Sequence, residues 1–391
     1  MANFVDKLVR RVEENKIKLS ETLRQDARPH EEQLRALTQK HWRALPPSAS
    51  AQRRAAYAVD GSRAVRHLAN GAYLFVAQAL VIGERTGERH EETDADVRIL
   101  PGATPTPFVE RFAELTMHRL EATLASQAAN ALQPDSVIFL DGALYGQLPQ
   151  LYQVKEDDLR DTEAESFAKK ALNENVEQIL RAYLHLFNVA IQRKLWLVSI
   201  AKTSREATHA QVWWRDAFYK NQVKDEAIPN HVSDSEVLFR WTERAAGFST
   251  PILFGKRSFA KQPEMVVLDK VKDAPAIASF FVRLADYDDA LRVDVPASCL
   301  GRRETIGDIE TDAEILLDAP DDLQRVAAIL DILRSDYGGL QVYNALLYSV
   351  DREVRLRQEM MDEVYFSLIQ TTLGNEVELR LDRSERRFHA R

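Results

Sequence analysis

The strongest constraint on this 391-residue chain is an alternation of short apolar runs with long helical patterns between residues 55 and 202. AAYAV (55–59) and GAYLFVAQALVIG (71–83) read as buried strands, and VRIL (97–100) as a further one after charged turns. The spacing of apolar residues predicts a helix over 107–132, then the buried strand SVIFLD, a long helix over 163–193 and a last buried strand, LWLVSIAK. Strand, helix, strand, helix, strand is the pattern of an α/β core, because each sheet face must be covered by helices.

Around this core the reading is coarser. Residues 1–43 are helical, with Phe4, Leu8, Val12 and Ile17 near helical spacing, and they end before the breaker ALPPSAS. That segment, taken as 1–48, is a helical arm for partner or dimer contacts, and 49–391 is the main domain. Residues 203–263 form a mostly helical insertion whose Trp213, Trp214, Phe218 and Trp241 suit a packed core. MVVLD, IASFFVRLA and ALRVDVP are three strand candidates, and helices over 321–335 and 342–369 close the chain.

Two of the buried strands carry an acid at the same place. YAVDGS puts Asp60 before Gly-Ser, and VIFLDGAL puts Asp141 before Gly-Ala. Asp-Gly is a common turn pair, so each acid can be a turn residue. Strand ends in α/β sheets are also where sites are built, and a glycine there lets a ligand or another segment approach closely. A metal nuclease needs further acids, since paired divalent ions sit roughly 3.5–4 Å apart. Glu110, Glu114 and Glu121 fall four and seven residues apart, on one face of the intervening helix, which can point at the strand ends or at water. Asp351 interrupts the apolar face of Leu346, Leu347 and Val350, so it needs a metal or an arginine such as Arg352 or Arg355. Lys202 closes the last buried strand, where it can hold a phosphate or merely precede a helix cap at Thr203 or Ser204.

Several function classes lack their signatures. A single cysteine, Cys299, excludes a disulfide framework and multi-cysteine zinc sites and fits a reducing, cytoplasmic setting. The nine histidines form no HxxxH pair, and there is no GxxxxGK[ST], GxGxxG or GxSxG. The N-terminus lacks the apolar stretch of a signal peptide, and no run approaches the roughly 20 apolar residues of a membrane span. A net charge of −8 speaks against nonspecific coating of nucleic acid, and the basic clusters RRVEENKIK and LRLDRSERRFHAR read as solvated faces.

YAVDGSR, RLEATLAS, VIFLDGAL and VSIAKTSR, followed by IASFFVRLADYDDALRVDVP, occur in an order that resembles the NurA nucleases, over about residues 50–365. The resemblance implies a ribonuclease-H-like mixed sheet with flanking helices. It also implies a Mn²⁺- or Mg²⁺-dependent DNA nuclease acting on 5′ ends and single strands. On that pattern Asp60, Glu121 and Asp141 are metal ligands, with Glu114 sharing the face of Glu121. Asp351 stands where the family usually has a histidine and is a further oxygen ligand. Lys202 is catalytic, and Arg63 and Arg283 are phosphate or strand contacts. Family members form homodimers and work with HerA, a hexameric ATPase, in DNA end processing or phage defence. The substitution at Asp351 leaves open a catalytically silent adaptor that docks on such an ATPase, and a ribonuclease of the same fold class is a third reading.

Overall fold

A computed structural model describes residues 4–24, 30–48, 54–85, 88–144, 163–202, 207–224, 233–259, 271–316 and 320–374. The expected strand MVVLD and the Thr203–Ser204 cap lie outside the described residues. The chain divides into two compact units. One comprises Met1–Leu45, Lys202–Ile252 and Phe280–Arg292, and the other Pro46–Ala201, Leu253–Ser279 and Val293–Arg391.

In the first unit the helix Glu31–His41 packs on Thr208–Tyr219 and Asp234–Trp241. Its core is aromatic: Trp213 and Trp214 are buried, and His41 stacks on Trp213 with ring centroids 5.0 Å apart. The tryptophans therefore pack an interior, as their apolar neighbours suggested. Within the expected helical insertion the chain also forms the strands Gly247–Ser249 and Ile252–Phe254. Three residues are too few to show a period of two, so these strands have no sequence signal. The helix Phe4–Glu14 buries none of its residues; Phe4, Val5 and Leu8 are exposed.

The second unit is built on a mixed sheet. Ala56–His67 runs parallel to Val137–Asp141, which runs parallel to Trp196–Ala201. Ala56–Val59, Val137–Leu140 and all of Trp196–Ala201 are buried, which is why these runs, apart from Ser199, are apolar rather than alternating. On the other side Tyr73–Arg85 pairs antiparallel with Ala56–His67, and Glu88–Leu100 with Tyr73–Arg85. The helix Thr106–Ala131 lies against Tyr73–Arg85, Ala56–His67 and the long helix Glu163–Arg193, burying Val109, Phe112, Leu115 and Leu120. This is the mixed α/β sheet with flanking helices expected from the strand–helix alternation.

Three local expectations need correction. The strand Ala56–His67 does not end at Asp60; it continues seven residues further, paired through to His67↔Tyr73, so Gly61 makes no turn. The last strand of the meander is not VRIL alone but Glu88–Leu100. Its ERHEETDAD half is largely exposed at the sheet edge, where solvated charges replace apolar alternation. The expected helix 342–369 is interrupted after Ala345–Val354. There the Val354 carbonyl accepts from Gln78 Nε2 at 2.6 Å and the Leu356 amide donates to Ser62 Oγ at 2.9 Å, so strand side chains satisfy the backbone groups the break leaves open.

Candidate metal centre

The parallel pairing of Val59 with Leu140 makes Asp60 and Asp141 the next residues on adjoining strands. Strands in a sheet are about 4.8 Å apart and residues in register share a face, so the two carboxylates face the same way as neighbours. Asp60 is only 7% exposed. Its Oδ1 accepts the Gly61 amide at 2.8 Å, and Asp141 Oδ1 accepts the Gly142 amide at 3.1 Å.

The intervening helix supplies the third acid, and Gly61 explains how it reaches the site. A Cβ at residue 61 would lie 2.6 Å from Glu121 Oε1 and 2.6 Å from Met117 Cγ. The glycine of YAVDGS thus admits a helix carboxylate beside Asp60. Glu121 is therefore the helix acid at the strand pair. Glu114 is engaged by Arg111 at 3.0 Å and Glu110 by Arg63 at 2.5 Å. The C-terminal helix Ala345–Val354 begins at Asn344, whose side chain accepts the Leu347 amide, and it carries Asp351. Asp351 pairs with Arg355 at 3.0 Å and also acts electrostatically on Asp60.

Electrostatics tie the group together. Burial first, then the charges of Asp141 and Glu121, push the Asp60 carboxyl up to about 8, with Asp351 adding to the rise. Tyr343 donates to Asp141 Oδ1 at 3.5 Å. Burial, then Asp141, Asp60 and Asp351, hold its phenol well above its ordinary value, so it stays protonated at neutral pH. Neither Tyr343 nor His118, whose Nδ1 is 2.9 Å from Glu121 Oε2, was singled out from sequence. The spacing of three between His118 and Glu121 on a helix was the available signal for the second; for Tyr343 there was none.

An all-oxygen set of carboxylates suits a hard divalent cation, and burial together with the acidic neighbours disfavours the charged form of Asp60, which a bound cation would favour. Among the described residues, no three Asp, Glu, His or Cys side chains stand as a ready ligand group. One oxygen of each acid instead meets a protein partner: Gly61, Gly142, His118 or Arg355.

Lys202 follows the strand Trp196–Ala201, is exposed, and belongs to the first unit. Arg283 is also in the first unit and is not a phosphate contact. It is 2% exposed, with its guanidinium donating to Thr242 Oγ1, the Ala245 carbonyl and the Asp288 carbonyl, over the Trp42 ring. These three protein acceptors make it a structural arginine.

The described residues include no helix long and apolar enough to cross a membrane. No curated protein matches the chain. Among solved structures, the NurA nuclease from Sulfolobus solfataricus is 16% identical with a TM-score of 0.58, covering 97% of this chain and 100% of its own. A NurA bound to dAMP and manganese is 14% identical with a TM-score of 0.56, covering 96% and 99%. At such identities these two establish the shared fold. The family model described as the NurA domain matches residues 54–356, a span that contains Asp60, Glu121, Asp141 and Asp351, and the chain belongs to the NurA nuclease family.

Proposed function

We propose that this nuclease hydrolyses DNA phosphodiester bonds with Mn²⁺ or Mg²⁺ held by Asp60, Glu121, Asp141 and Asp351. The observation that carries the reading is the in-register pair Asp60 and Asp141, joined by Glu121 across Gly61. The NurA structure bound to dAMP and manganese supports a divalent ion and DNA as ligands here. When bound, such an ion supplies a Lewis acid and acidifies the attacking water. Asp60 and Asp141 would hold the ion as carboxylates, Asp60 giving up its proton to do so, and Glu121 would close the group from the helix. Tyr343, kept protonated beside Asp141, serves as a neutral donor among anions. Lys202 offsets charge on the phosphoryl group. Arg63, half-buried and paired with Glu110, can exchange that carboxylate for a strand phosphate.

By the same family pattern the activity is 5′–3′ exonucleolytic and endonucleolytic on single strands. It serves DNA end processing or phage defence in the cytoplasm, in a homodimer working with a HerA-type hexameric ATPase. The lack of a nucleotide-binding motif agrees with a motor on another chain, and the exposed apolar residues of Phe4–Glu14 offer an arm, within 1–48, for a partner. The test is purified protein with linear and single-stranded DNA and Mn²⁺, comparing wild type with Asp60→Ala and Asp141→Ala. Loss of cleavage in both variants is expected, and cleavage that persists in both would overturn the site. The second reading, a silent adaptor on a HerA-type ATPase, is favoured by one observation: Asp351 replaces the family histidine and is bound to Arg355. Absence of cleavage by wild type with its ATPase present would select it.

A further inference from the structure

The helix Thr106–Ala131 carries a line of partnered side chains that ends on the metal centre. Arg111 Nη1 donates to Glu114 Oε2 at 3.0 Å, Glu114 Oε1 lies 4.0 Å from His118 Nε2, and His118 Nδ1 lies 2.9 Å from Glu121 Oε2. The spacings of three, four and three keep all four residues on one face. The inner pair is the more enclosed, with the His118 side chain 16% and the Glu121 side chain 13% exposed. An ionised carboxylate only accepts, so in this contact the proton sits on Nδ1. The imidazole thereby holds Glu121 Oε2, while Oε1 lies 2.6 Å from the place a Cβ on Gly61 would take, at the residue after Asp60.

We propose that His118 is the positioning residue of this site, holding Glu121 so that its second oxygen is presented beside Asp60 to a divalent cation. The inference rests on the metal-dependent reading above. A glutamate has a long, rotamer-rich side chain, and fixing it in advance removes part of the ordering cost from ion binding. Partners that orient a metal ligand typically contribute about 10- to 100-fold in metal affinity. Glu114, anchored by Arg111, lies 4.0 Å from the ring's Nε2.

The test is Mn²⁺ titration of the full-length chain at one fixed pH, read by calorimetry or by the paramagnetic signal of free Mn²⁺, without DNA. His118→Ala and His118→Phe should weaken Mn²⁺ binding about 10- to 100-fold, and His118→Asn, which restores an N–H near the Nδ1 position, should recover most of it. In a Glu121→Ala background, His118→Ala should cause no further loss, because its only route to the ion has gone. Thermal melting without metal reports folding, and His118→Phe keeps the ring volume if the alanine variant does not fold. Unchanged Mn²⁺ affinity in His118→Phe, or an equal further loss in the Glu121→Ala background, would overturn the proposal. Failure of the wild-type chain to bind Mn²⁺ would instead overturn the metal-dependent reading itself.

Discussion

Asp60 and Asp234 are both buried aspartates, 7% and 2% exposed, and they meet opposite surroundings. Asp234, in the first unit, accepts the amides of His209 at 3.1 Å and Ala210 at 2.8 Å, with His209 Nδ1 3.5 Å away. Those amides open the helix Thr208–Tyr219, whose N-cap Ala207 has no side chain to cap them. Asp234 therefore completes a helix terminus, where backbone donors and the helix dipole favour a negative charge. Asp60 accepts one amide and otherwise faces Asp141, Glu121 and Asp351. A buried acid among donors holds the fold together. A buried acid among acids lowers the stability of a site in which nothing offsets its charge.

The sharpest way to break that contrast is to remove each acid. Asp60→Ala and Asp141→Ala should each reduce Mn²⁺-dependent cleavage by about a thousandfold or more, corresponding to several kcal/mol of transition-state stabilisation. Metal-free melting temperatures should not fall. Asp234→Ala should do the reverse: stability falls by about 2–4 kcal/mol, because two buried amides lose their acceptor. Cleavage per folded molecule should be retained. Asp234→Asn should recover part of the loss, since the amide oxygen still accepts. Urea unfolding alongside a cleavage assay separates the two outcomes, and equal loss of activity in both aspartate variants would dissolve the distinction.

The second way uses pH. The Asp60 carboxyl is raised in the folded state to about 8 from an ordinary 3.8. With the folded value above the unfolded one, its contribution to stability is present below about pH 4 and is lost as pH rises through 8. Without metal, Asp60→Asn should therefore melt like wild type near pH 4 and become progressively more stable than wild type between pH 4 and 8. The limiting slope is about 1.4 kcal/mol per pH unit, and the accumulated difference is a few kcal/mol. Mn²⁺ should narrow the gap by stabilising wild type alone. A difference that is constant with pH would remove the electrostatic account of the cluster.

Much of this was legible in the chain. The parallel strands were visible because each is buried on both faces, and the two acids because Asp60 and Asp141 each follow such an apolar run. The edge strand Glu88–Leu100 was hidden by its own solvation. The units were not legible either, since residues 1–45, 202–252 and 280–292 are distant in sequence and carry no shared periodicity. Within the site, Glu121 could not be told from Glu114 on helical spacing alone; Gly61 decides between them, because only a close approach shows which carboxylate the missing Cβ admits. Tyr343 and Arg283 each carried misleading or no signal, as a tyrosine in an apolar helix start and an arginine in an apolar strand look alike whether they serve a site or an interior.

The smallest effect compares the two Asp-Gly pairs, which look identical in sequence and differ in reason. Gly142 has φ of 92°, a left-handed conformation at the end of its strand, so Gly142→Ala should cost about 1–2 kcal/mol of stability through backbone strain. Gly61 sits inside a continuing strand without positive φ, and its constraint is the side chain of Glu121 across from it. Gly61→Ala must push Glu121 Oε1 away from the strand, because a contact of 2.6 Å is far inside van der Waals distance. Its expected signature is about tenfold weaker Mn²⁺ binding, like the loss of an orienting partner, with a smaller change in urea midpoint than Gly142→Ala. If Gly61→Ala instead loses stability while Mn²⁺ affinity holds, Met117 rather than Glu121 is what the glycine accommodates, and the helix acid is not drawn to Asp60 by this strand.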